Sequence, residues 1–288
     1  MIGVSPAFFF SLFSTDFTPQ DYIEGISRLQ ALGFDAYQLE IYHQSSLHTW
    51  EDQAATVASH AQRKGLQASQ FVAHFLLEST ADSESLVSDV GLQEMERVCS
   101  LLSHFPECAI ITLPLAPFTI AEDEEISSED YRLLWQRLKS KLLKFEAIVH
   151  ASKRKMAVEI VPGSLMGSTE GYMRMARETG IFPIGYNFDT GHAHSSKENL
   201  PLIPSKIGNL IYGTHLKDNF GTENLALAPG EGSIPWKQTL AQLKLSGYAG
   251  SYDLEIVCQN PNEVEQTYRK AKAYVEGMMK EITKEAYI

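Results

Sequence analysis

The chain has little cysteine, and it lacks the features typical of exported proteins. Three cysteines, Cys99, Cys108 and Cys258, are spread over 288 residues, and none forms a CxxC pair. So sparse and odd a count excludes a disulfide scaffold and fits a reducing compartment. The apolar start, MIGVSPAFFFSLF, has no Lys or Arg ahead of its apolar run, whereas a signal peptide begins with such a charge. We therefore predict a cytoplasmic protein.

Basic residues are outnumbered, with 24 Lys and Arg against 36 Asp and Glu and a net charge of −12. Because phosphate backbones and anionic lipids repel an acidic surface, we predict no nucleic-acid partner and no membrane partner. The chain also has no apolar run of about 18 residues, the length that a membrane-spanning helix needs. Hydrophobic residues still make up 44% of the chain, enough for a sizeable core. The composition leaves open whether identical chains assemble into a homo-oligomer.

Strand-like and helix-like stretches alternate along the whole chain. The strand-like stretches cover residues 2–9, 34–42, 66–75, 108–116, 155–161, 183–189, 209–216 and 251–257. The helix-like stretches cover residues 18–33, 50–64, 84–103, 128–154, 168–180, 199–207, 235–246 and 261–284. Eight such units predict an α/β protein of parallel strands joined by helices, and in this length they favour a closed (β/α)8 TIM barrel.

An open, doubly wound sheet is the structural alternative. The glycine pattern GxGxxG, the commonest reason to prefer an open sheet, does not follow the first strand. No low-complexity linker divides the chain, so we expect residues 1–288 to form one domain.

Two helices carry recognisable start signals. Thr18, Pro19 and Asp21 are typical of a capped helix beginning, and Gly33 follows the last periodic residue of that helix. The acidic run at 121–130, AEDEEISSED, has two interpretations: a lid over the barrel mouth, or a solvated loop leading into a capped helix. We favour the loop, because runs of like charge are usually solvated.

Four polar residues stand at the ends of the last four strand-like stretches: Glu159, Asp189, His215 and Glu255. In a parallel barrel the carboxyl ends of the strands meet at one mouth, where barrel enzymes place their chemistry. Side chains alternate along a strand, and the face opposite each polar residue is apolar, as with Tyr186 and Phe188. We therefore predict that the polar faces point into the barrel and bring these four residues together.

Three carboxylates and one imidazole in one place repel each other unless something neutralises them. One divalent cation does so, and this set of oxygen and nitrogen donors suits Mn²⁺, Mg²⁺ or Co²⁺, with Zn²⁺ as a further candidate. The competing interpretation is four separately satisfied polar residues. We favour the metal site, because all four lie in matching registers.

The second half of the chain carries five runs in a fixed order: VEIVPG, NFDTGHAH, GTHLKDN, PGEGSIPW and YDLEI. Together they resemble the xylose-isomerase-like barrel superfamily of sugar and sugar-phosphate isomerases and epimerases, whose relatives include inosose dehydratases and apurinic endonucleases. The resemblance implies that Glu159, Asp189, His215 and Glu255 are metal ligands. It also implies that Glu159 and Glu255 form an acid–base pair and that His192 binds substrate.

Neighbouring residues carry weaker signals. Lys217 shares the inward face of its strand with the metal candidate two residues earlier, so it is a substrate-binding candidate; a salt bridge to Asp218 or another rim acid is the alternative. His74, placed at the end of the third strand, and Glu40, near the end of the second, are candidate substrate contacts or satisfied core polar groups. The glycines of PGEGSIPW (229–236) either cradle a phosphate or permit a tight turn.

These observations predict a divalent-metal-dependent isomerase or epimerase of a sugar or sugar phosphate in carbohydrate metabolism. The implied reaction is proton transfer through an enediolate between two metal-bound glutamates. Two alternatives stay open. The same groups could dehydrate an inosose, which would make the protein a lyase, or the barrel could bind a sugar without turnover.

Overall fold

The computed structural model describes residues 1–122, 125–179 and 183–285. Eight strands form one sheet: β1 (Ile2–Val4), β2 (Ala36–Glu40), β3 (Gln67–Val72), β4 (Ile110–Leu115), β5 (Lys155–Ile160), β6 (Gly185–Asp189), β7 (Ile211–His215) and β8 (Tyr252–Leu254). The α-helices are α1 (Ala7–Phe13), α2 (Pro19–Ala31), α3 (Leu47–Lys64), α4 (Ser83–Val87), α5 (Leu92–Leu101), α6 (Ser128–Ala151), α7 (Thr169–Thr179), α8 (Thr190–Ser195), α9 (Ile203–Ile207), α10 (Trp236–Leu245) and α11 (Val264–Glu285).

The sheet closes on itself. Its strand order is β7-β6-β5-β4-β3-β2-β1-β8, and the paired strands are parallel. The two ends of the sheet meet through a parallel bridge between Leu216 and Leu254. Around it the Leu216 amide donates to the Asp253 carbonyl at 2.8 Å, and the Glu255 amide donates to the Leu216 carbonyl at 3.0 Å. The prediction of one (β/α)8 barrel is confirmed, and the open sheet is wrong.

The inward and outward faces of the late strands follow the predicted alternation. On β6, Tyr186 points outward, where its hydroxyl lies 3.2 Å from Thr169 Oγ1 and its ring packs edge-on against Tyr172 of α7. The neighbouring residue Asn187 points inward, where its side-chain oxygen accepts a hydrogen bond from Gln70 of β3 at 3.2 Å. The barrel interior is therefore polar near its mouth, and the apolar core lies mainly between the strands and the helices.

Two helices begin as predicted. Thr18 and Asp21 form a reciprocal capping box at α2, with the Thr18 amide donating to Asp21 Oδ2 at 2.7 Å and the Asp21 amide to Thr18 Oγ1 at 3.3 Å. Ser127 and Asp130 form the same arrangement at α6. The acidic run at 121–130 thus ends in a capped helix, while its residues 123 and 124 lie outside the described residues.

The prediction of a strand over residues 2–9 is wrong beyond Val4, because residues 7–13 form α1. An apolar run of this length cannot by itself distinguish a buried strand from a buried helix. The helix is favoured by its contacts: Phe9 stacks on Tyr22 with ring centroids 3.7 Å apart, and Phe8 packs edge-on against Tyr268 at 5.0 Å. All four rings are buried.

Three further elements differ from the prediction. The helix expected over 84–103 is split into α4 and α5, and Lys141 holds the intervening turn by donating to the carbonyls of Ser88 and Val90. The third strand ends at Val72, so His74 begins a 3₁₀ segment (His74–Thr80) rather than ending the strand. Helix α8, directly after β6, was not predicted.

Within the described ranges, none of the helices combines the length and the apolar character needed to cross a membrane.

Candidate metal centre

The four polar strand-end residues converge at one mouth of the barrel. Glu159, Asp189, His215 and Glu255 each offer one ligand atom, and these atoms all lie within 4.8 Å of one another. The first three residues are 4%, 2% and 1% exposed, whereas Glu255, one residue beyond the end of β8, is partly exposed. The sequence prediction that these side chains come together is therefore correct.

One nitrogen of His215 stands at the centre of this cluster. Its Nδ1 atom lies 3.0 Å from Glu159 Oε1, 3.7 Å from Asp189 Oδ2 and 3.6 Å from Glu255 Oε1. Divalent cations hold oxygen and nitrogen ligands at about 2.0–2.6 Å, so opposite ligands lie up to about 5 Å apart. The observed spread fits one such ion, and a buried set of three carboxylates and an imidazole is suited to hold it.

Lys217 lies within the same cluster, and its side chain is 4% exposed. Its Nζ atom lies 2.7 Å from Asp189 Oδ2 and is also paired with Glu255. Burial alone would lower the pKa of Lys217, but the negative charges of Asp189 and Glu255 raise it above its ordinary value. The lysine thus partners two of the four candidate ligands rather than Asp218, the neighbour in sequence.

Asp218 instead organises the glycine-containing run at 229–236. Its carboxylate accepts hydrogen bonds from the amides of Gly230 at 2.9 Å and Ile234 at 3.2 Å, and from the indole of Trp236 at 2.7 Å. A Cβ atom on Gly232 would lie 2.3 Å from Asp218 Oδ1, so this close approach requires glycine. The loop therefore wraps around a carboxylate of the protein itself, and it uses amides that a bound phosphate would need.

His192 lies in the first turns of α8, next to the candidate ligands. Its amide donates to Asp189 Oδ1 at 2.8 Å, so Asp189 caps the helix that carries it. Its Nε2 atom lies 3.6 Å from Glu159 Oε1, and its Nδ1 atom has no hydrogen-bond partner among the described residues. Burial lowers the pKa of His192 to about 4, so the ring is neutral at neutral pH and can donate or accept a hydrogen bond.

Glu40 and His74 lie on the opposite side of the mouth. Glu40 is 3% exposed, and its Oε2 atom has no hydrogen-bond partner within the described part of the chain. Burial, together with the negative charge of Glu255, raises the pKa of Glu40 well above its ordinary value. His74 is partly exposed and stacks on Tyr42 with ring centroids 4.5 Å apart.

A cavity of about 650 Å³ opens above the cluster. The predicted residues that line it are Glu40, His74, Glu159, His192, His215, Lys217 and Glu255. Its outer wall is apolar and includes Pro6, Phe10, Val72, Pro114, Leu225 and Val257. Seven of the eight predicted site residues therefore face one chamber, and the eighth, Asp189, lies beneath it in contact with His192 and Lys217.

The sequence analysis missed Gln38. It lies on β2 two residues before Glu40, so the alternation of side chains places both on the inward face. Its Oε1 atom lies 2.9 Å from His215 Nε2, on the side of the ring away from the carboxylates. The pattern of alternation could have identified Gln38 as inward-facing, but its partner becomes apparent only when the barrel closes.

The fold and site together define a (β/α)8 barrel with a candidate metal centre at its mouth, and a comparison with known families agrees. Residues 26–278 match the family model of the xylose isomerase-like TIM barrel. The chain therefore belongs to this family, as its sequence motifs predicted.

Several solved structures share the fold over nearly the full chain. A D-tagatose 3-epimerase-like protein superposes with a TM-score of 0.76 and 19% identity, covering 99% of each chain. An L-ribulose 3-epimerase superposes with a TM-score of 0.78 and 15% identity, covering 99% of this chain and 96% of the other. The IOLI protein, solved with a zinc atom, superposes with a TM-score of 0.73 and 15% identity, covering 98% of this chain and 97% of the other.

A curated relative matches a shorter stretch. An uncharacterised protein of Methanocaldococcus jannaschii is 29% identical over 106 residues, which cover 35% of this chain and 36% of that protein. The structural matches show the fold at these low identities, and the activity has to be argued from the site.

Proposed function

We propose that this protein is a divalent-metal-dependent isomerase or epimerase of an uncharged sugar. Glu159, Asp189, His215 and Glu255 hold the ion, and Glu159 and Glu255 move the proton. The observation that carries the proposal is the meeting of these two glutamates, from β5 and from beyond β8, at one nitrogen of His215 beneath a shared cavity. The relatives named as sugar epimerases support the reaction class.

A bound divalent cation would polarise the carbonyl of a ketose and lower the cost of removing the proton beside it. One glutamate takes that proton, and the substrate becomes an enediolate. The other glutamate returns a proton to the same carbon from its other face, or to the neighbouring carbon. No atom is lost from the substrate, so the net change is epimerisation in the first case and isomerisation in the second.

The two glutamates differ in their surroundings. Burial raises the pKa of Glu159 above its ordinary value, and the neighbouring His215 opposes that shift. Glu255 is paired with Lys217 and is partly exposed, so it can exchange a proton with solvent.

The remaining candidates would orient the sugar. Within the described part of the chain, His192 Nδ1 and Glu40 Oε2 have no hydrogen-bond partner, so both can bind hydroxyl groups above the metal centre. His74 and Lys217 also belong to the polar part of the lining. A cavity that combines several hydrogen-bonding side chains with an apolar wall is typical of a site for a small polyhydroxylated ligand.

The charge of the chamber favours a free sugar over a sugar phosphate. Among the described residues that line it, Lys217 is the one with a permanent positive charge, and two carboxylates already engage it. The residues outside the described ranges include no Lys, Arg or His. In the loop at 229–236, the other candidate for phosphate binding, the amides of Gly230 and Ile234 donate to Asp218. Among the described lining residues a phosphate would thus find no Lys or Arg side chain that is not already paired with carboxylates.

A panel of ketoses, inososes and sugar phosphates, each with added Mn²⁺, tests the proposal. We expect solvent deuterium to enter the carbon beside the carbonyl of a free ketose, with faster exchange than for its phosphate ester. Water loss from an inosose, followed by ultraviolet absorbance, would instead identify a lyase. Saturable binding without exchange would identify a sugar-binding barrel, and either result would overturn the isomerase proposal.

A further inference from the structure

A buried chain of hydrogen bonds runs from the metal centre across the barrel interior. His215 Nε2 lies 2.9 Å from Gln38 Oε1, and Gln38 Nε2 donates to Asp253 Oδ2 at 2.8 Å. These three residues are at most 1% exposed. These hydrogen bonds thus link the Nε2 side of His215 to Asp253. The carboxylate of Asp253 has no role in the proposed reaction.

Asp253 is held as an acceptor. Ser251 Oγ donates to its Oδ1 atom at 2.5 Å. Ser69 Oγ lies 3.0 Å from its Oδ2 atom, closer than the Tyr37 carbonyl at 3.2 Å, and donates there beside Gln38. Gly3 of β1 leaves space for the Asp253 carboxylate, since a Cβ atom on Gly3 would lie 2.1 Å from Asp253 Oδ1. A buried carboxylate with three donors around it has no further need of a partner.

The acceptor fixes the orientation of the Gln38 amide. Gln38 Nε2 faces two acceptors, Asp253 Oδ2 and the Thr214 carbonyl at 3.4 Å, so the NH₂ group of Gln38 points to that side and its oxygen faces His215. That oxygen accepts only if His215 Nε2 carries a proton. The other ring nitrogen, Nδ1, lies 3.0 Å from Glu159 Oε1 among the other candidate ligands, so it is the nitrogen that can bind a cation in place of its own proton.

A second amide near His215 is more distant. Gln70 Nε2 lies 3.5 Å from His215 Nε2, against 2.9 Å for Gln38 Oε1, and it donates to Asn187 Oδ1 at 3.2 Å. The oxygen of Gln70 accepts from Thr112 Oγ1 at 2.8 Å. Gln38 is therefore the residue whose side-chain oxygen keeps a proton on Nε2 of His215.

We propose that Gln38, oriented by Asp253, is a positioning residue that keeps the Nδ1 atom of His215 available as a metal ligand. The inference rests on the proposed metal role of His215 and goes beyond it by assigning a function to two buried polar residues outside the ligand set. Partners of this kind behind a ligating histidine typically contribute about 10–100-fold to metal affinity.

The test compares Gln38→Met, which removes the acceptor, with Gln38→Glu, which retains an oxygen for the Nε2 proton. Calorimetric titration with Zn²⁺ and with Mn²⁺ should show an affinity about 10–100-fold weaker for Gln38→Met, and much of the loss restored in Gln38→Glu. ¹⁵N NMR of the histidine rings in the Zn²⁺-loaded protein should show a protonated Nε2 and a ligating Nδ1 at His215 in the wild type. Gln38→Met should lose the protected Nε2 proton.

Two further variants separate the members of the chain. Ser69→Ala removes one donor to Asp253 without freeing the Gln38 amide, so it should bind metal like the wild type. Asp253→Asn can offer Gln38 an NH₂ group, which allows the amide to turn, so it should bind less tightly than Ser69→Ala. Wild-type affinity in Asp253→Asn would remove Asp253 from the proposal.

Metal binding by the wild type distinguishes this inference from the proposed function. If the wild type binds neither ion, the metal role of the four ligands fails first. If the wild type binds metal and a folded Gln38→Met binds it equally well, with the same His215 ring spectrum, the role of Gln38 is overturned while the proposed function stands.

Discussion

The Nζ atom of Lys217 lies 2.7 Å from Asp189 Oδ2, inside the group of side chains proposed to hold a divalent cation. The same ammonium also pairs with Glu255. Two of the three carboxylates are thereby held at a fixed positive charge before any ion binds. This explains how a buried acidic cluster can be tolerated in the folded chain, since unpaired buried charges are strongly destabilising.

Lys217→Met should destabilise the metal-free protein by about 3–5 kcal/mol, the cost of leaving buried carboxylates without their partner. Mn²⁺ should recover much of that loss, because the ion supplies the missing positive charge. Chemical unfolding with and without Mn²⁺ measures both effects. A variant as stable as the wild type without metal would show that Lys217 does not balance the cluster.

Asp189→Asn should weaken Mn²⁺ binding by at least about tenfold, because an amide is a poorer donor to a hard cation than a carboxylate. Asparagine caps helices as well as aspartate does, so α8 and the position of His192 should be kept. Isothermal titration with Mn²⁺, together with a check of thermal stability, measures the effect. Unchanged affinity would place Asp189 outside the ligand set.

Glu159→Gln and Glu255→Gln should each reduce carbon–hydrogen exchange by about 10²–10⁴, beyond any loss of metal. The amide keeps the size and one oxygen but cannot take up a proton. Each variant is saturated with Mn²⁺, its occupancy is measured, and exchange of the substrate's carbon-bound proton with solvent is followed. Near-normal exchange in both would mean that the glutamates only hold the ion, and that His192 or Lys217 moves the proton.

Thr18→Ala should lower the free energy of unfolding by about 1 kcal/mol, because it removes the side-chain oxygen that accepts from the Asp21 amide. Thr18→Ser keeps that oxygen and serves as the matched control. Urea unfolding of the three proteins compares them. Equal stability of the alanine and serine variants would show that the capping box contributes nothing.

The candidate ligands could be predicted because their signal lies in the backbone geometry. Alternation along a strand and the common direction of parallel strands place Glu159 and Asp189 at one mouth without any knowledge of packing. Helix starts such as Thr18 are equally local, since the cap and its partner are three residues apart.

Other features depend on contacts between distant parts of the chain. Phe8 and Phe9 lie in an apolar run that suits a strand or a helix, and the rings of Tyr268 and Tyr22 decide between them. Gln38 is an ordinary inward residue until closure of the barrel brings it to His215, 177 positions away. Sequence periodicity carries no information about such partners.

The proposed reaction and the proposed role of Gln38 both require a divalent ion held by Glu159, Asp189, His215 and Glu255. Elemental analysis after equilibration with Mn²⁺ and removal of free metal tests it most directly. The proposed site predicts about one ion per chain in the wild type and much less in Asp189→Asn. No bound metal in the wild type, even at millimolar Mn²⁺, would contradict the account.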